Sequence, residues 1–266
     1  MSVVLVTGCS SGFGLATAIA LARRGERVIA TTRDLSKAHR LREVAGTLDV
    51  DVLQLDITDA HSREAAIRTA TAKYGGIDVL INNAGIFSMG ALEMLGESDL
   101  RALFETNVFG TFALTTLVLP SMRERRSGRI VNVTSAGAFV ARQFMTGYAA
   151  SKHAMDAITI GMDLELKPFN IRVTSVAPVQ YGTDIGENTQ APSADTPYGI
   201  EPAKQYSEWK SIMMGRADLS PVTSAIVEAA TAPDPKQRYL VAPGPLPIDA
   251  IFGEKQRFDE GRRVNA

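Results

Sequence analysis

Residues 3–22, VVLVTGCSSGFGLATAIALA, contain a strand, a turn and a helix in immediate succession. Val3 to Val6 is a short apolar run rich in valine, which is typical of a parallel strand covered on both faces. A glycine-rich turn follows from Thr7 to Gly14, and a helix is predicted from Leu15 until Gly25 ends it. Glycines without Cβ atoms let a backbone turn tightly and approach a pyrophosphate at the N-terminus of a helix. The stretch therefore predicts a loop that binds a nucleotide.

The rest of the chain repeats this alternation of strand and helix. Helices are predicted from Asp59 to about Tyr74, from near Glu97 to Arg125 and from Tyr148 to about Lys167. Strands separated by helices form right-handed parallel crossovers. We therefore expect a single α/β domain over residues 1–266, with a Rossmann-like doubly wound parallel sheet. Besides the first strand, further strands are predicted at residues 27–31, 51–55, 78–81, 129–134, 171–175 and 239–241.

Residues 179–220 interrupt this rhythm. The segment contains several prolines and glycines, together with the aromatic residues Tyr181, Tyr198, Tyr206 and Trp209. A long insertion in a compact domain is usually a binding loop or lid. It follows the carboxyl end of the sixth strand, which is the edge of the sheet where ligands bind. We therefore predict a substrate-binding lid here.

Residues 135–152, SAGAFVARQFMTGYAASK, carry a second chemical signal. Tyr148 and Lys152 are one helical turn apart, so they share a helix face. A nearby cation favours phenolate over phenol and is expected to lower the pKa of Tyr148. Such a tyrosine can give a proton to a carbonyl or take one from an alcohol. Ser135, at the end of the preceding strand, could donate a hydrogen bond to the same oxygen.

Composition limits the class of protein. Of the 266 residues 45% are apolar and 21% are charged, and the net charge is −1. This balance argues against a nucleic-acid-binding surface. Cys9 is the only cysteine, which excludes an intrachain disulfide and suits a reducing compartment. No signal peptide, membrane span or metal site is predicted, because a strand begins at once, no apolar run is long enough, and three histidines with one cysteine form no familiar pattern. We expect a cytoplasmic protein.

Six motifs in order resemble the short-chain dehydrogenase/reductase family, of the single-domain kind. They are Thr7-Gly8-x-x-x-Gly12-x-Gly14, Asn82-Asn83-Ala84-Gly85, Asn107, Ser135, Tyr148-x-x-x-Lys152 and Pro178-x-x-x-x-Thr183. The resemblance implies a sheet order of 3-2-1-4-5-6-7 and four catalytic residues, Asn107, Ser135, Tyr148 and Lys152. Asn107 would bend its helix and hold a water of a proton relay, Ser135 would orient a carbonyl, and Tyr148 would be the general acid or base. Lys152 would also bind the ribose of the nicotinamide.

The resemblance further implies where a dinucleotide lies. Asn83, Ala84 and Gly85 would pack against its adenosine half, Asp56 would meet the adenine, and Thr183 would contact the carboxamide. The full set of expected cofactor-binding residues is Gly8, Ser10, Ser11, Gly12, Phe13, Gly14, Thr32, Arg33, Asp56, Ile57, Asn83, Ala84, Gly85, Tyr148, Lys152, Pro178 and Thr183. Val179 and Gln180 depart from the family, which usually has glycine directly after this proline, and make the turn bulkier.

The end of the second strand, Ala30-Thr-Thr-Arg-Asp34, predicts the choice of cofactor. An acidic side chain at the discriminating position selects NAD, whereas a nearby arginine accommodates the 2′-phosphate of NADP. Thr32 occupies that position and Arg33 follows it, with Ser11 as a further hydroxyl donor, so NADP(H) is expected. A shift of one residue would instead bring the Asp34 carboxylate to the ribose and favour NAD(H).

The substrate is predicted only as a class. The glycine loop and the second strand are similar to those of the hydroxysteroid and retinol dehydrogenase branch, which implies an apolar ketone or secondary alcohol. The candidates for the wall of its pocket are Phe139, Phe144, Met145, Tyr181, Trp209, Met213 and Met214.

Two other functions stay open at this point: a non-catalytic NADP(H)-binding redox sensor and a nucleotide-sugar epimerase or dehydratase. The resemblance also implies a homodimer or homotetramer formed through the helices near 97–125 and 148–167, and the charged tail 252–266 has no assigned role.

Overall fold

The computed structural model describes residues 1–182, 185, 189, 191–193, 195–214 and 218–244; at Met214 it describes the backbone alone. Seven parallel strands form one sheet in the order β3-β2-β1-β4-β5-β6-β7, which confirms the predicted fold and strand order. The strands are β1 (Val3–Val6), β2 (Arg27–Thr32), β3 (Val50–Gln54), β4 (Val79–Asn82), β5 (Gly128–Val133), β6 (Ile171–Pro178) and β7 (Arg238–Val241).

Helices cover both faces of this sheet. They are α1 (Gly12–Arg23), α2 (His39–Ala45), α3 (Ala60–Tyr74), α4 (Glu97–Phe104), α5 (Thr111–Arg125), α6 (Thr146–Leu166), α7 (Glu201–Met214) and α8 (Ser220–Thr231). Side chains alternate between the faces along each strand. Val4 and Val6 of β1 therefore belong to the core under α1, α2 and α8, while Val3 and Leu5 belong to the core under α3, α5 and α6.

The chain reverses its winding at β1. This strand pairs with β2 on one side and with β4 on the other, so the crossovers diverge from it. In sheets of this type a crevice opens at the carboxyl ends of the strands on either side of such a switch point. The glycine-rich turn after β1 and residues 83–85 after β4 both lie at this edge.

The predicted helix near 97–125 contains an irregularity. Between α4 and α5, residues Glu105–Gly110 form a π-helical segment, so the helix continues from Glu97 to Arg125 with an extra residue in one turn. Gly110, at the end of this segment, lets it approach the residues after β3, because a Cβ there would lie 2.4 Å from the carbonyl oxygen of Ile57. Among the described residues this run is the one helix long and apolar enough to span a membrane, and 50% of its most apolar window is buried within the protein, as in a core helix.

Other element boundaries differ modestly from those expected. β3 begins and ends one residue before its predicted range, and β6 continues past Ser175 to Pro178. The sequence pattern missed α2, α7 and α8. Within residues 179–220, α7 contributes Tyr206 to a third apolar cluster, which lies against Phe87, Met89, Phe144 and Tyr148 rather than under the sheet.

Candidate active site

One large cavity, of about 930 Å³, lies at the carboxyl edge of the sheet. Its lining comes from the glycine-rich turn, the ends of β2 to β6, the start of α6 and the inner side of α7. The predicted site residues that line it are Gly8, Ser10, Ser11, Gly12, Phe13, Thr32, Arg33, Asp56, Ile57, Asn83, Ala84, Gly85, Ser135, Tyr148, Lys152 and Pro178. The structure thus brings together in one space the two groups of residues, nucleotide-binding and acid–base, that the sequence separates.

The glycine-rich turn is fastened to the segment after β4. The Thr7 hydroxyl accepts hydrogen bonds from the backbone N–H groups of Asn83 and Ala84, both at 2.9 Å. The Asn83 amide in turn donates to the carbonyl oxygens of Thr7 and Gly8, at 2.8 and 3.1 Å. Gly14 lies beneath this junction and does not line the cavity. A Cβ at Gly14 would lie 2.3 Å from the Gly8 oxygen, so glycine is required there by close approach.

This cradle fits a dinucleotide. Gly8 and Gly12 both line the cavity and have φ values of 71° and 56°, which favour glycine, so neither position adds a side chain to the space. α1 begins at Gly12, so its first backbone N–H groups face the same space. An N-terminus of this kind favours an anion such as a pyrophosphate. The residues present therefore suit the group that the sequence predicts.

The segment after β2 brings two cations and one carboxylate, Asp34, to the cavity. Arg33 and Lys37 both line the cavity. The Asp34 carboxylate is hydrogen-bonded to Ser36, and the bonds to its side chain and to its N–H, the latter at 2.9 Å, lower the pKa of Asp34 below its usual value. The Thr32 hydroxyl donates to the Asp34 carbonyl at 3.1 Å. Sequence reasoning missed Lys37, which lies in a short 3-10 helix, Leu35–Ala38, four residues after Arg33.

Tyr148 is almost completely buried at the centre of the cavity. Burial raises the pKa of its phenol, and a hydrogen bond with Ser135 acts in the opposite direction. The Ser135 hydroxyl also accepts the Gly137 N–H at 3.1 Å, which orients it. The expected lowering of the Tyr148 pKa by Lys152 is therefore wrong for the protein alone, because loss of hydration outweighs every other influence on the phenol.

Lys152 lies one turn further along α6, as the spacing predicts. Its ammonium group is 5.8 Å from the centre of the Tyr148 ring and donates to the Val133 carbonyl at 3.3 Å. Burial lowers the pKa of Lys152 to about 8, because an ammonium ion loses hydration in the interior. This lysine therefore changes charge within reach of neutral pH.

Asn107 lies within the π-helical segment and does not line the cavity. Its amide holds both backbone groups of Ile86, accepting from the N–H and donating to the carbonyl, each at 2.9 Å. It also donates to the Ser151 hydroxyl at 3.1 Å. A Cβ at Gly85 would lie 3.2 Å from the Asn107 oxygen and 3.6 Å from the Lys152 nitrogen. The asparagine thus fixes the strand-end segment that adjoins Lys152, and its part in a proton relay stays a prediction.

The part of the cavity beyond Tyr148 is walled by apolar side chains. Phe87 meets the Tyr148 ring edge-on at 4.8 Å and stacks on Trp209 at 4.2 Å. Of the predicted wall residues, Met145, Tyr181, Trp209 and Met213 line the cavity, whereas Phe139 and Phe144 do not, and the side chain of Met214 lies outside the described residues. Arg238 lies over the Phe139 ring, and Phe144 is buried edge-on to Tyr198. Sequence reasoning missed Phe87, Met89, Val140 and Ile212, for which no motif gives a signal.

The turn after Pro178 contains two residues that are unusual for the family, and it stays hydrogen-bonded to the sheet. Val179 is buried and its N–H donates to the Val241 carbonyl at 2.8 Å, while Gln180 is exposed with a φ of 56°. Gly182 contacts α7 closely, since a Cβ there would lie 1.7 Å from the Met213 oxygen. The predicted carboxamide contact, Thr183, and the tail 252–266 lie outside the described residues.

A thiol and an imidazole adjacent to the two motifs lie away from the proton-transfer group. Cys9 is fully buried under the glycine-rich turn, with its thiol against the Val6 carbonyl, and burial raises its pKa to about 12. His153 points off the catalytic face, with Nδ1 2.9 Å from the Ala149 oxygen.

Comparison with solved structures supports the fold over nearly the whole chain. A short-chain dehydrogenase from Streptomyces avermitilis matches with a TM-score of 0.82 and 34% identity, covering 91% of this chain and 88% of the other. A 3-ketoacyl-(acyl-carrier-protein) reductase from Brucella melitensis, complexed with NADH, matches with a TM-score of 0.76 and 26% identity over 91% and 97% of the two chains. A gluconate 5-dehydrogenase from Burkholderia cenocepacia, in complex with NADP and tartrate, has a TM-score of 0.76 and 28% identity over 91% and 94%. Structural neighbours therefore bind nicotinamide cofactors of both kinds.

Curated relatives are oxidoreductases. An uncharacterized oxidoreductase, YusZ, from Bacillus subtilis is 38% identical over 69% of this chain and 66% of its own length. Retinol dehydrogenase 8 from Bos taurus is 40% identical over 66% and 57%, and human 17-beta-hydroxysteroid dehydrogenase type 1 is 32% identical over 93% and 79%. The chain thus spans about two thirds or less of the length of several relatives. A family model described as short chain dehydrogenase matches residues 2–194. The predicted resemblance is confirmed: the chain belongs to the short-chain dehydrogenase family.

Proposed function

We propose that this protein is an NADP(H)-dependent oxidoreductase that interconverts an apolar ketone and the corresponding secondary alcohol. The observation that carries the proposal is the position of Tyr148. Its phenol lies beside Ser135 and Lys152, in one cavity whose nucleotide-binding cradle is on one side and whose apolar wall is on the other. This is the arrangement that a carbonyl needs to receive a proton while it is held next to a dinucleotide.

Four side chains have distinct roles in the proposed reduction. A bound NADPH supplies the hydride. Ser135 donates a hydrogen bond that orients the carbonyl oxygen, and Tyr148 gives that oxygen its proton. The buried phenol is suited to this step because its raised pKa keeps it protonated until substrate arrives. Lys152, when charged, stabilises the phenolate that is left, and Asn107 holds the segment beside it. In the oxidation the same groups act in reverse.

Preference for NADP(H) rests on the charges at the end of β2. Arg33 and Lys37 present two cations to the cavity. Of the two carboxylates that line it after β2 and β3, Asp34 accepts the Ser36 N–H and Asp56 accepts hydrogen bonds from Thr58. A 2′-phosphate carries negative charge that guanidinium and ammonium groups bind well. Calorimetric titration of the protein with NADPH and NADH tests this preference. We expect Arg33→Ala and Lys37→Ala each to weaken NADPH binding about tenfold and to leave NADH unchanged, whereas the exposed-surface control Arg24→Ala changes neither. Tighter binding of NADH by the wild type would contradict the preference.

The proposed reaction is tested by following NADPH oxidation against a panel of steroid, retinoid and small aromatic ketones. Turnover that disappears in Tyr148→Phe supports the reductase. Tight NADPH binding without turnover of any ketone would favour a redox sensor, the non-catalytic alternative.

Residues 179–220 are proposed as the substrate lid, because their helix α7 covers the apolar part of the cavity.

We further propose a cytoplasmic homo-oligomer. Four large apolar side chains, Phe109, Phe112, Leu117 and Leu164, are exposed on the π-helical segment, α5 and α6. Exposed apolar groups on the helices that the family uses for assembly support burial against a second copy. Phe112→Glu is expected to shift a dimer or tetramer toward monomer in sedimentation velocity, whereas the same change at exposed Leu92, away from these helices, is expected to leave assembly unchanged.

A further inference from the structure

The face of α6 that carries Tyr148 and Lys152 continues to a buried carboxylate. Asp156 lies one further turn along the helix, so the three side chains follow one another along one face. The Asp156 side chain is only 7% exposed, and a carboxylate that has lost its water requires opposite charge and hydrogen bonds in compensation. Arg238 of β7 supplies both, because its Nε donates to Asp156 Oδ1 at 3.0 Å and its Nη2 donates to Oδ2. The Ser175 hydroxyl adds a third hydrogen bond, to Oδ1, at 3.3 Å.

The guanidinium of this ion pair also contacts the segment that carries Ser135. Its central carbon lies 5.1 Å from the centre of the Phe139 ring, within the range of a cation–π contact. Phe139 directly follows the 3-10 helix Ala136–Ala138, for which Ser135 is the N-cap residue. In the middle of that helix a Cβ at Gly137 would lie 3.2 Å from Cε1 of Tyr148, so this short helix packs against the phenol ring. The guanidinium therefore contacts both segments that form the hydrogen bond between Ser135 and Tyr148.

We propose that Arg238 and Asp156 are positioning residues for proton transfer. Through Phe139 and α6 they fix the Ser135 hydroxyl against the Tyr148 phenol. Arg238 is the first residue of β7, which pairs with the end of β6, so its guanidinium is anchored on the sheet. Neither member of the ion pair is among the described residues that line the cavity, so both act on the reaction through other residues. Orientation matters here, because a displacement of about 1 Å can lower a catalytic rate by about a hundredfold. The inference rests on the proposed ketone reduction and deepens it.

Two matched double variants test the assignment. Arg238→Met with Asp156→Asn removes the ion pair without leaving a buried charge unpaired. The control is Arg172→Met with Asp163→Asn, near the other end of α6, where an arginine of the sheet likewise donates to a buried carboxylate of the helix, at 3.2 Å. Both variants should lower the urea midpoint of unfolding by similar amounts. Only the first should lower the single-turnover rate of ketone reduction, by about tenfold to a hundredfold, with KM for the ketone and the affinity for NADPH little changed.

A further variant isolates the contact with the ring. Phe139→Leu removes the aromatic face and keeps the ion pair, and it should also lower the single-turnover rate. Added to the Arg238→Met/Asp156→Asn variant, it should cause little further loss, because both changes act through one contact. A wild-type rate in the Arg238→Met/Asp156→Asn variant, an equal loss of rate in the control, or additive losses with Phe139→Leu would overturn the inference while the proposed reduction stands. A wild type that binds NADPH and reduces no ketone contradicts the proposed function, and this inference fails with it.

Discussion

The two sides of the cavity use the same backbone conformation with different residues. On the cofactor side the positive φ values belong to Gly8 and Gly12, at 71° and 56°. On the opposite side, which is formed by the segments after β5 and β6 and is called the substrate side below, they belong to Phe144 and Gln180, at 61° and 56°. A residue with a Cβ atom pays about 1–2 kcal/mol for this conformation, whereas glycine adopts it freely. The cofactor loop is therefore encoded locally, and the substrate side is held in place by its surroundings.

Those surroundings are visible around Phe144. Its side chain is buried edge-on to Tyr198, and its carbonyl oxygen accepts the Gly90 N–H at 2.8 Å. Tertiary contacts of this kind outweigh a local preference. The difference implies that changes on the cofactor side act mainly on folding and nucleotide binding, while changes on the substrate side alter selectivity at small cost in stability.

The largest expected effect is on kcat, and it comes from a change at Tyr148, which lies between the cofactor side and the substrate side. Tyr148→Phe removes the proton donor and keeps the ring that contacts Phe87. Loss of a general acid typically lowers kcat by about 10² to 10⁴, whereas the affinity for NADPH should fall by no more than about tenfold, because at most one hydroxyl contact to the cofactor is lost. Stopped-flow measurement of a single turnover, together with calorimetric NADPH binding, checks both. A comparable loss of NADPH affinity would show that the two sides are not separable at Tyr148.

The next effect concerns the cofactor side alone. Gly14→Ala forces a methyl group against the Gly8 carbonyl and the Asn83 amide, at 2.3 and 2.5 Å. Overpacking of this kind costs about 1–3 kcal/mol of unfolding free energy, and it should weaken NADPH binding because the turn must shift. Gly161→Ala in α6 is the matched control, since no atom lies within 4 Å of its added Cβ. That variant should gain up to about 1 kcal/mol. Urea unfolding measures both, and equal changes would refute a special role for Gly14.

A smaller effect depends on pH and comes from Lys152. Its pKa of about 8 in the folded protein lies below the ordinary lysine pKa of 10.5. Between these two values the unfolded chain binds more protons than the folded protein, so stability rises with pH. The unfolding free energy of the wild type minus that of Lys152→Met should rise by on the order of 1 kcal/mol per pH unit above pH 8, because only the wild type has the titrating ammonium group. Urea unfolding at pH 7.5, 8.5 and 9.5 tests this, and a difference independent of pH would mean that the ammonium is well hydrated.

Sequence reasoning succeeded where function depends on local geometry. The alternation of strands and helices and the one-turn spacing of Tyr148 and Lys152 follow from backbone periodicity, the glycine turn follows from a local motif, and the strand order was implied by the family resemblance; the structure reproduces all of them. It failed where position depends on contacts distant in sequence. Phe87 contacts Trp209, 122 positions away in sequence, only because α7 packs over the cavity. No sequence periodicity predicts where α7 packs. The pKa of Tyr148 was mispredicted for the same reason, because its burial is a property of the assembled cavity.

The smallest expected effect tests whether the substrate side really stores local strain. Gln180 is exposed, so its side chain contributes little packing, yet its φ of 56° is costly for a residue with a Cβ atom. Gln180→Gly should therefore raise the unfolding free energy by roughly 0.5 kcal/mol, since relief of strain exceeds the extra flexibility of glycine in the unfolded chain. Gln180→Ala keeps the Cβ atom and should give no gain. Urea unfolding of the two variants side by side isolates the contribution of that single atom. If Gln180→Gly and Gln180→Ala have equal unfolding free energies, the hydrogen bond from Val179 to Val241 compensates for the strain at Gln180. The two sides of the cavity then differ in amino-acid composition and not in stored strain energy.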